Sequence, residues 1–293
     1  MHKQIHFITD TGADLSPEML AGRDIEILQM PITIDDNEEV LAGEIDLKEM
    51  YDRMRQGAVY KTAQVPRGEF LRVFRRCAQE DTPCVYVSLS SGLSGTFATA
   101  HMAAQEVREE YPQAQIEVVD SLSATVGYGR AVLEAYDLAQ SGADYEQILL
   151  QLRRSIDQVE HLFTVSTLEF LIRGGRLSRA AGAVAGALNI KPILNIDREG
   201  QLVAKEKIRG DKRLRQRLAE LTNQLSCGLA EQHLYIVHGD ASDFADEMIS
   251  RIREITPIGR VTKTDLGVTI GAHTGPGIVG IVFYNPNKIR ISE

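Results

Sequence analysis

Ser88-Leu89-Ser90-Ser91-Gly92-Leu93-Ser94-Gly95-Thr96 is the stretch from which the fold can be read. Cys84 to Val87, just before it, is a short apolar run with the look of a buried strand. Just after it, Leu93, Phe97, Ala100, Ala104, Val107 and Tyr111 fall at helical spacing, which predicts a helix starting near Leu93. The order is strand, polar glycine turn, helix N-terminus. The first turn of a helix carries free backbone N–H groups and a partial positive charge, so it suits a phosphate or carboxylate. A plain Ser/Thr cap is the ordinary use of such residues. Four serines and one threonine in nine positions exceed what capping alone requires.

Two similar turns flank it. Ile5 to Ile8 reads as a strand ending in Thr9-Asp10-Thr11-Gly12-Ala13-Asp14, and Ile116 to Val119 as a strand ending in Asp120-Ser121-Leu122-Ser123. In an open parallel sheet the three turns would share one edge, where ligands bind. Ser16-Pro17 opens a short helix, with serine as the cap and proline in the first turn. Ile25–Leu28 and Pro31–Ile34 read as strands, and residues 47–54, 69–78 and 145–157 as helices. Val126, Gly129, Leu133 and Tyr136 mark another helix. Lys61-Thr62-Ala63-Gln64-Val65-Pro66 is extended, because proline turns its predecessor away from helix. Asp35 to Glu39 lacks the spacing of a calcium loop and reads as a solvated turn.

The second half has a different texture. Leu162–Val165 reads as a strand and 168–172 as a short helix. Arg173-Gly174-Gly175-Arg176 follows as a basic glycine turn, and residues 180–188 as a helix of small residues. Residues 190–196 and 202–208 form a hairpin turning at 197–200, followed by Arg209-Gly210-Asp211-Lys212. Helices at 214–225 and 244–255 alternate with strands at 234–237, 260–266 and 278–283. The expected fold class is α/β. A Rossmann-like domain with a parallel sheet, residues 1–158, precedes a smaller α+β domain, residues 159–293.

Composition narrows the function. A net charge of −9 with no basic stripe argues against a nucleic-acid partner. Cys77, Cys84 and Cys227 are odd in number and form no CxxC, so neither zinc nor a disulfide framework is indicated and a cytoplasmic setting fits. No apolar run approaches the ~20 residues of a membrane span. The seven histidines are scattered without metal spacing. Gly275 to Gly280 matches GxGxxG by letter, but a strand follows it and not a helix. Gly92-Leu93-Ser94-Gly95-Thr96 falls one residue short of the nucleophile elbow GxSxG. Asp240 or Asp265 and then His273 lie downstream in hydrolase order. An acyl hydrolase with Ser94 as nucleophile and His273 as base is therefore the rival reading.

Taken in order, several fragments resemble the DegV family of bacterial fatty-acid-binding proteins, some of which are the lipid-carrying subunit of fatty acid kinase. They are Ile8 to Leu15, Lys61-Thr62-Ala63-Gln64, Ser90 to Thr96, Val119-Asp120-Ser121 and Arg173 to Ser178. Asn189 to Ile193, Arg209 to Lys212 and His273-Thr274-Gly275-Pro276-Gly277 complete the set. The resemblance implies a non-catalytic protein that needs no cofactor. It implies a fatty-acid carboxylate held by Thr62 and Ser94, with Gly95 lending its N–H and His273 joining the polar network. The acyl chain would lie in an apolar tunnel between the domains, to which the 180–188 helix could contribute. Arg176 and Arg209 would be docking points for the kinase. The chain departs from the family pattern at Ala63, Val65, Pro66 and Arg67, and at Thr11-Gly12, which bears on loop geometry and chain preference.

Overall fold

The computed structural model describes residues 4–37, 39–178 and 190–288. Strands β1 (His6–Asp10) and β2 (Ile25–Leu28) begin the chain. Next come three short strands, β3 (Pro31–Ile34), β4 (Glu39–Leu41) and β5 (Tyr60–Thr62), then β6 (Cys84–Ser88) and β7 (Ile116–Asp120). Four of these strands form a parallel sheet in the order β2-β1-β6-β7. Every residue of β6 is buried, as a central parallel strand covered on both faces requires. The strand order reverses between β1 and β6, so the turns after these two strands flank the switch point where such sheets bind ligands. Helices Arg67–Gln79 and Thr96–Glu110 pack as one pair, and Val126–Gln140 and Tyr145–Gln158 as another.

β3, β4 and β5 form a separate antiparallel sheet, which the sequence reading did not separate from the first. It places Thr62 opposite Ile32.

Strand β8 (Val159–Thr164) enters a second, six-stranded sheet. Its other members are β9 (Ile190–Ile196), β10 (Leu202–Arg209), β11 (His233–His238), β12 (Arg260–Asp265) and β13 (Val279–Tyr284). The order is β10-β9-β8-β13-β11-β12, mixed in direction. Alternation sorts its residues. Leu162, Ile236 and Ile281 face helices Asp211–Ser226 and Ser242–Ile255. Phe163, Val237 and Val282 turn the other way and pack with Val126 of the first half. The expected α/β class is thus observed as a helix-flanked parallel sheet beside a separate mixed sheet. The expected 180–188 helix lies outside the described residues.

Two expectations about local structure are corrected. The helix after the serine turn begins at Thr96, not near Leu93. The Leu93 and Ser94 N–H groups both bond to Ser90 O at 3.0 Å, which closes a tight turn before the helix can start. The glycine-rich segment before β13 is not a plain turn, since Val268–Thr274 is helical and carries His273. Its capping residue Gly267 donates to Asp14 Oδ1 at 3.0 Å, a tertiary contact invisible in local sequence.

Candidate functional site

The two sheets enclose a cavity with about 760 Å³ of atom-free space, including its open mouth. The turns after β6 and β7 form one wall through Leu89, Leu93 and Ala124. The inner face of the six-stranded sheet forms the other through Phe163, Val237 and Val282. The 268–274 helix closes a side with Thr269, Ile270 and His273. Nearly all of this lining is hydrocarbon.

Four polar side chains of the lining come from four separate elements: Thr62 from β5, Ser94 from the serine turn, His273 from the 268–274 helix, and Arg176 from the glycine turn after helix Glu169–Arg173. Thr62 Oγ1 and His273 Nε2 are 2.7 Å apart. Burial, and then the Arg176 charge, push the His273 pKa down to about 4, so its ring is neutral at physiological pH. Ser94 Oγ accepts from Thr96 N at 3.2 Å and lies 2.8 Å from Thr96 Oγ1, which fixes its rotamer. Arg176 donates through Nε to Leu93 O at 3.0 Å and through Nη1 to Gly174 O at 2.6 Å. Among the described residues it meets no carboxylate, and burial alone lowers its pKa. A guanidinium stays charged under all ordinary conditions, so this is a partly desolvated cation with no counter-charge among the described residues.

Most of the other hydroxyls in the three turns serve the fold. Ser90 Oγ donates to Gly200 O at 2.8 Å, tying the serine turn to the tip of the β9–β10 hairpin. Ser88 and Ser121 donate to nearby carbonyls, and Thr9 to Val87 O. Asp10 is fully buried and accepts from Tyr86 and Tyr128 hydroxyls at 2.6 Å each and from the Gly12 and Leu89 N–H groups. Burial raises its pKa against those four donors. Convergence of the turns therefore does not make every hydroxyl a ligand group. Of the serines in the 88–96 turn, the cavity lining includes Ser94.

Thr62, Ser94 and His273 line a common cavity, whereas Gly95 is outside its lining. A Cβ on Gly95 would come within 2.4 Å of Gln64 Oε1, so the glycine admits the Gln64 side chain, whose Nε2 donates to Thr99 Oγ1 at 2.8 Å. Sequence reasoning grouped Arg176 with Arg209, but the structure separates them. Arg176 lines the cavity, while Arg209 is exposed at the end of edge strand β10. The signal for Arg176 was the Gly174-Gly175 turn, which folds the chain back so that the side chain points inward. Gly175 takes a φ of 72° to do so. For the hydrolase arrangement, no hydrogen bond joins Ser94 to His273 among the described residues, and His273 Nε2 is engaged by Thr62. Asp240 meets Arg55, and Asp265 lies 3.3 Å from His238, so neither orients His273. Among the described residues no cluster of His, Cys, Asp and Glu has a metal-binding arrangement, and no helix is long and apolar enough to cross a membrane.

An apolar cavity with a cationic and hydroxyl-bearing polar group on its wall suits an amphiphile with an anionic head. The chain belongs to the DegV family, whose model, described as an uncharacterised protein of that family, matches residues 4–286. It is 31% identical over 288 residues to DegV domain-containing protein CPE0026 of Clostridium perfringens, covering 98% of this chain and 99% of that one. It is 34% identical over 276 residues to DegV domain-containing protein YteA of Lactococcus lactis, covering 94% and 95%. Among solved structures, a fatty-acid-binding DegV family protein of Thermus thermophilus superposes with a TM-score of 0.87 at 28% identity, covering 97% of this chain and 100% of that one. DegV of Bacillus subtilis, a fatty acid binding protein, gives 0.84 at 26% identity, covering 97% and 99%.

Proposed function

We propose that this protein binds one long-chain fatty acid, with the carboxylate at Thr62, Ser94, Arg176 and His273 and the tail in the apolar cavity. The observation that carries the reading is the Arg176 guanidinium, half-buried on the wall of a hydrocarbon-lined space and meeting no carboxylate among the described residues. A fatty-acid head group supplies that charge. Thr62 Oγ1 and His273 Nε2 share a 2.7 Å hydrogen bond. In the proposed complex the ring takes the Nε2–H tautomer and donates, so the Thr62 hydroxyl proton goes to one carboxylate oxygen. The Ser94 hydroxyl donates to the other, while Gly95 helps to shape the turn. Burying about fifteen methylenes at ~0.8 kcal/mol each is worth roughly 12 kcal/mol before ordering costs. Affinity therefore resides in the tail and orientation in the head.

A carboxylate held near the mouth by hydrogen-bond donors stays open to a second protein. The finer reading is a cytoplasmic carrier, divided between residues 158 and 159, that presents its lipid to a fatty acid kinase. Arg209 would belong to the docking face, while Arg176 serves the head group. Organic extraction and mass spectrometry of natively purified protein test the binding. Fatty acid in near-stoichiometric amount is expected. Protein that carries none, and that also fails to take up long-chain fatty acids, would overturn the proposal.

A further inference from the structure

Cys77 and Cys84 flank the reversal that leads from helix Arg67–Gln79 into β6, and both are free, buried thiols. The chain turns at Asp81, with φ 52°, and the Thr82 N–H donates to Cys77 O at 2.9 Å. The start of the strand is thereby folded back onto the last turn of the helix. Cys84 then enters the parallel sheet opposite His6 and Ile116. The two sulfurs end up as neighbours, close enough that each thiol is the strongest influence on the other. The third cysteine, Cys227, is exposed at the end of helix Asp211–Ser226 in the second half.

The two thiols differ in access. Cys84 is fully buried. Cys77 is 2% exposed, yet it lines a surface groove with about 790 Å³ of atom-free space, open side included, beside His6, Glu26, Arg76, Glu80 and Thr82. Hydrogen peroxide is little larger than water, so such a groove admits it. The thiols differ in acidity in the same sense. The Cys84 thiol holds the Cys77 pKa below the usual thiol range against burial; Arg76, itself paired with Glu26, helps, while Glu26 and Glu80 oppose. Cys77, and then burial, push the Cys84 thiol well up. Cys77 is therefore the readier thiolate and Cys84 the partner that keeps its proton. A buried cysteine commonly serves as a small apolar side chain, but packing alone does not call for two sulfurs in contact with one of them on a groove wall.

We propose that Cys77 and Cys84 are a reversible redox pair, in which Cys77 reacts with a peroxide and Cys84 resolves the product to an intrachain disulfide. The Cys77 thiolate attacks one peroxide oxygen, the O–O bond breaks, and the leaving hydroxide takes a proton to become water. The Cys84 sulfur then gives up its proton and attacks the Cys77 sulfenic acid. The S–S bond forms, the S–O bond breaks, and a second water leaves. Two thiols and one hydrogen peroxide become one disulfide and two waters, the sulfurs losing the two electrons that the peroxide gains. In a reducing compartment the pair rests as a dithiol and closes when peroxide rises. The site is separate from the fatty-acid cavity, whose lining includes neither cysteine.

The test exposes the reduced full chain to hydrogen peroxide, quenches it by denaturation and alkylation, and reads intact and peptide masses. Under peroxide that oxidises the exposed Cys227, most chains should lose two hydrogens at Cys77 and Cys84. Cleavage after Glu80 should then leave two peptides that stay joined until dithiothreitol separates them. Cys84→Ser should halt the reaction at a Cys77 sulfenic acid that dimedone traps, and Cys77→Ser should leave Cys84 reduced. The wild-type chain decides the matter first, so a folding defect in either variant does not. Cys77 and Cys84 both still alkylated in wild type once Cys227 is oxidised would overturn the inference. So would Cys77 carried on to sulfinic acid with no bridge, or a bridge from either residue to Cys227.

Discussion

Thr62 and His273 are 211 residues apart in the chain and share one hydrogen bond of 2.7 Å. The contact joins the small three-stranded sheet to the 268–274 helix across the mouth of the cavity. In the Nε2–H tautomer of the neutral ring, Thr62 Oγ1 accepts from His273 and its own proton is free to donate onward. Thr62→Val and Ser94→Ala should each weaken fatty-acid binding by about 1–3 kcal/mol, or about 5- to 150-fold, the usual cost of a lost buried partner. Titration of delipidated variants measures it. Unchanged affinity in both would remove the hydroxyls from the site.

Arg176 should matter for the charge of the head group more than for the tail. Arg176→Gln is expected to lower affinity for a fatty acid by about tenfold or more while leaving its methyl ester nearly unaffected, on the scale of a charge-assisted hydrogen bond. Arg209→Ala, on the exposed edge strand, should leave both affinities unchanged and reduce only transfer of phosphate by a partner kinase. Equal loss of lipid affinity in the two variants would place Arg209 in the ligand site.

Burial lowers the His273 pKa from 6.5 to about 4, with Arg176 adding to the shift. The folded state thus prefers the neutral ring. Its contribution to stability is fully present above about 6.5 and is lost as pH falls toward about 4. His233, also near 4 through burial and then the charges of Arg260 and Arg130, acts in the same sense. Asp14, lifted by burial to about 7, acts in the opposite one. The comparison that isolates His273 is thermal denaturation of wild type and His273→Gln across pH 4–7, where the variant should show a shallower loss on acidification. Parallel curves would contradict the assignment.

How much of this was legible in the sequence depended on how local the cause was. The β6 strand and its serine turn announced themselves, because a buried strand and a helical repeat are both written in consecutive residues. So was the β9–β10 hairpin, whose turn is built by Asp197 accepting from Glu199 and Gln201 and by Gly200 at φ 75°. The 268–274 helix was not legible, because Val268, Thr269, Ile270 and Gly271 disfavour helix and the Asp14–Gly267 bond that starts it spans 253 residues. The candidate site followed the same rule. Residue types flagged Thr62, Ser94 and His273, but types alone do not tell Ser94, which lines the cavity, from Ser90, which holds a hairpin. Nor do they tell an inward Arg176 from an outward Arg209, since orientation is set by the backbone turn that carries each.

The two halves are held together by contacts that a small change should break. Arg130 is 3% exposed, its guanidinium 3.5 Å from the centre of the Tyr284 ring. It donates to Glu134 and to His233 O, and Glu134 in turn accepts from Ser155 and Tyr284. Arg130→Met leaves Glu134 without its cation and should cost about 3 kcal/mol in chemical denaturation. Gly92→Ala places a Cβ 2.7 Å from Gly200 O, a backbone atom that cannot swing aside, and should cost about 1–3 kcal/mol. A stability loss below about 0.5 kcal/mol in both would show that the interface tolerates rearrangement.

Calorimetric titration of the delipidated chain with a long-chain fatty acid, set beside its methyl ester, bears most directly on whether the cavity holds a tail and its polar end a carboxylate. One fatty acid should bind per chain, with the ester at least about tenfold weaker, since it keeps the tail but gives up the charge that Arg176 lacks. No saturable binding of the acid, or acid and ester bound alike, would contradict it.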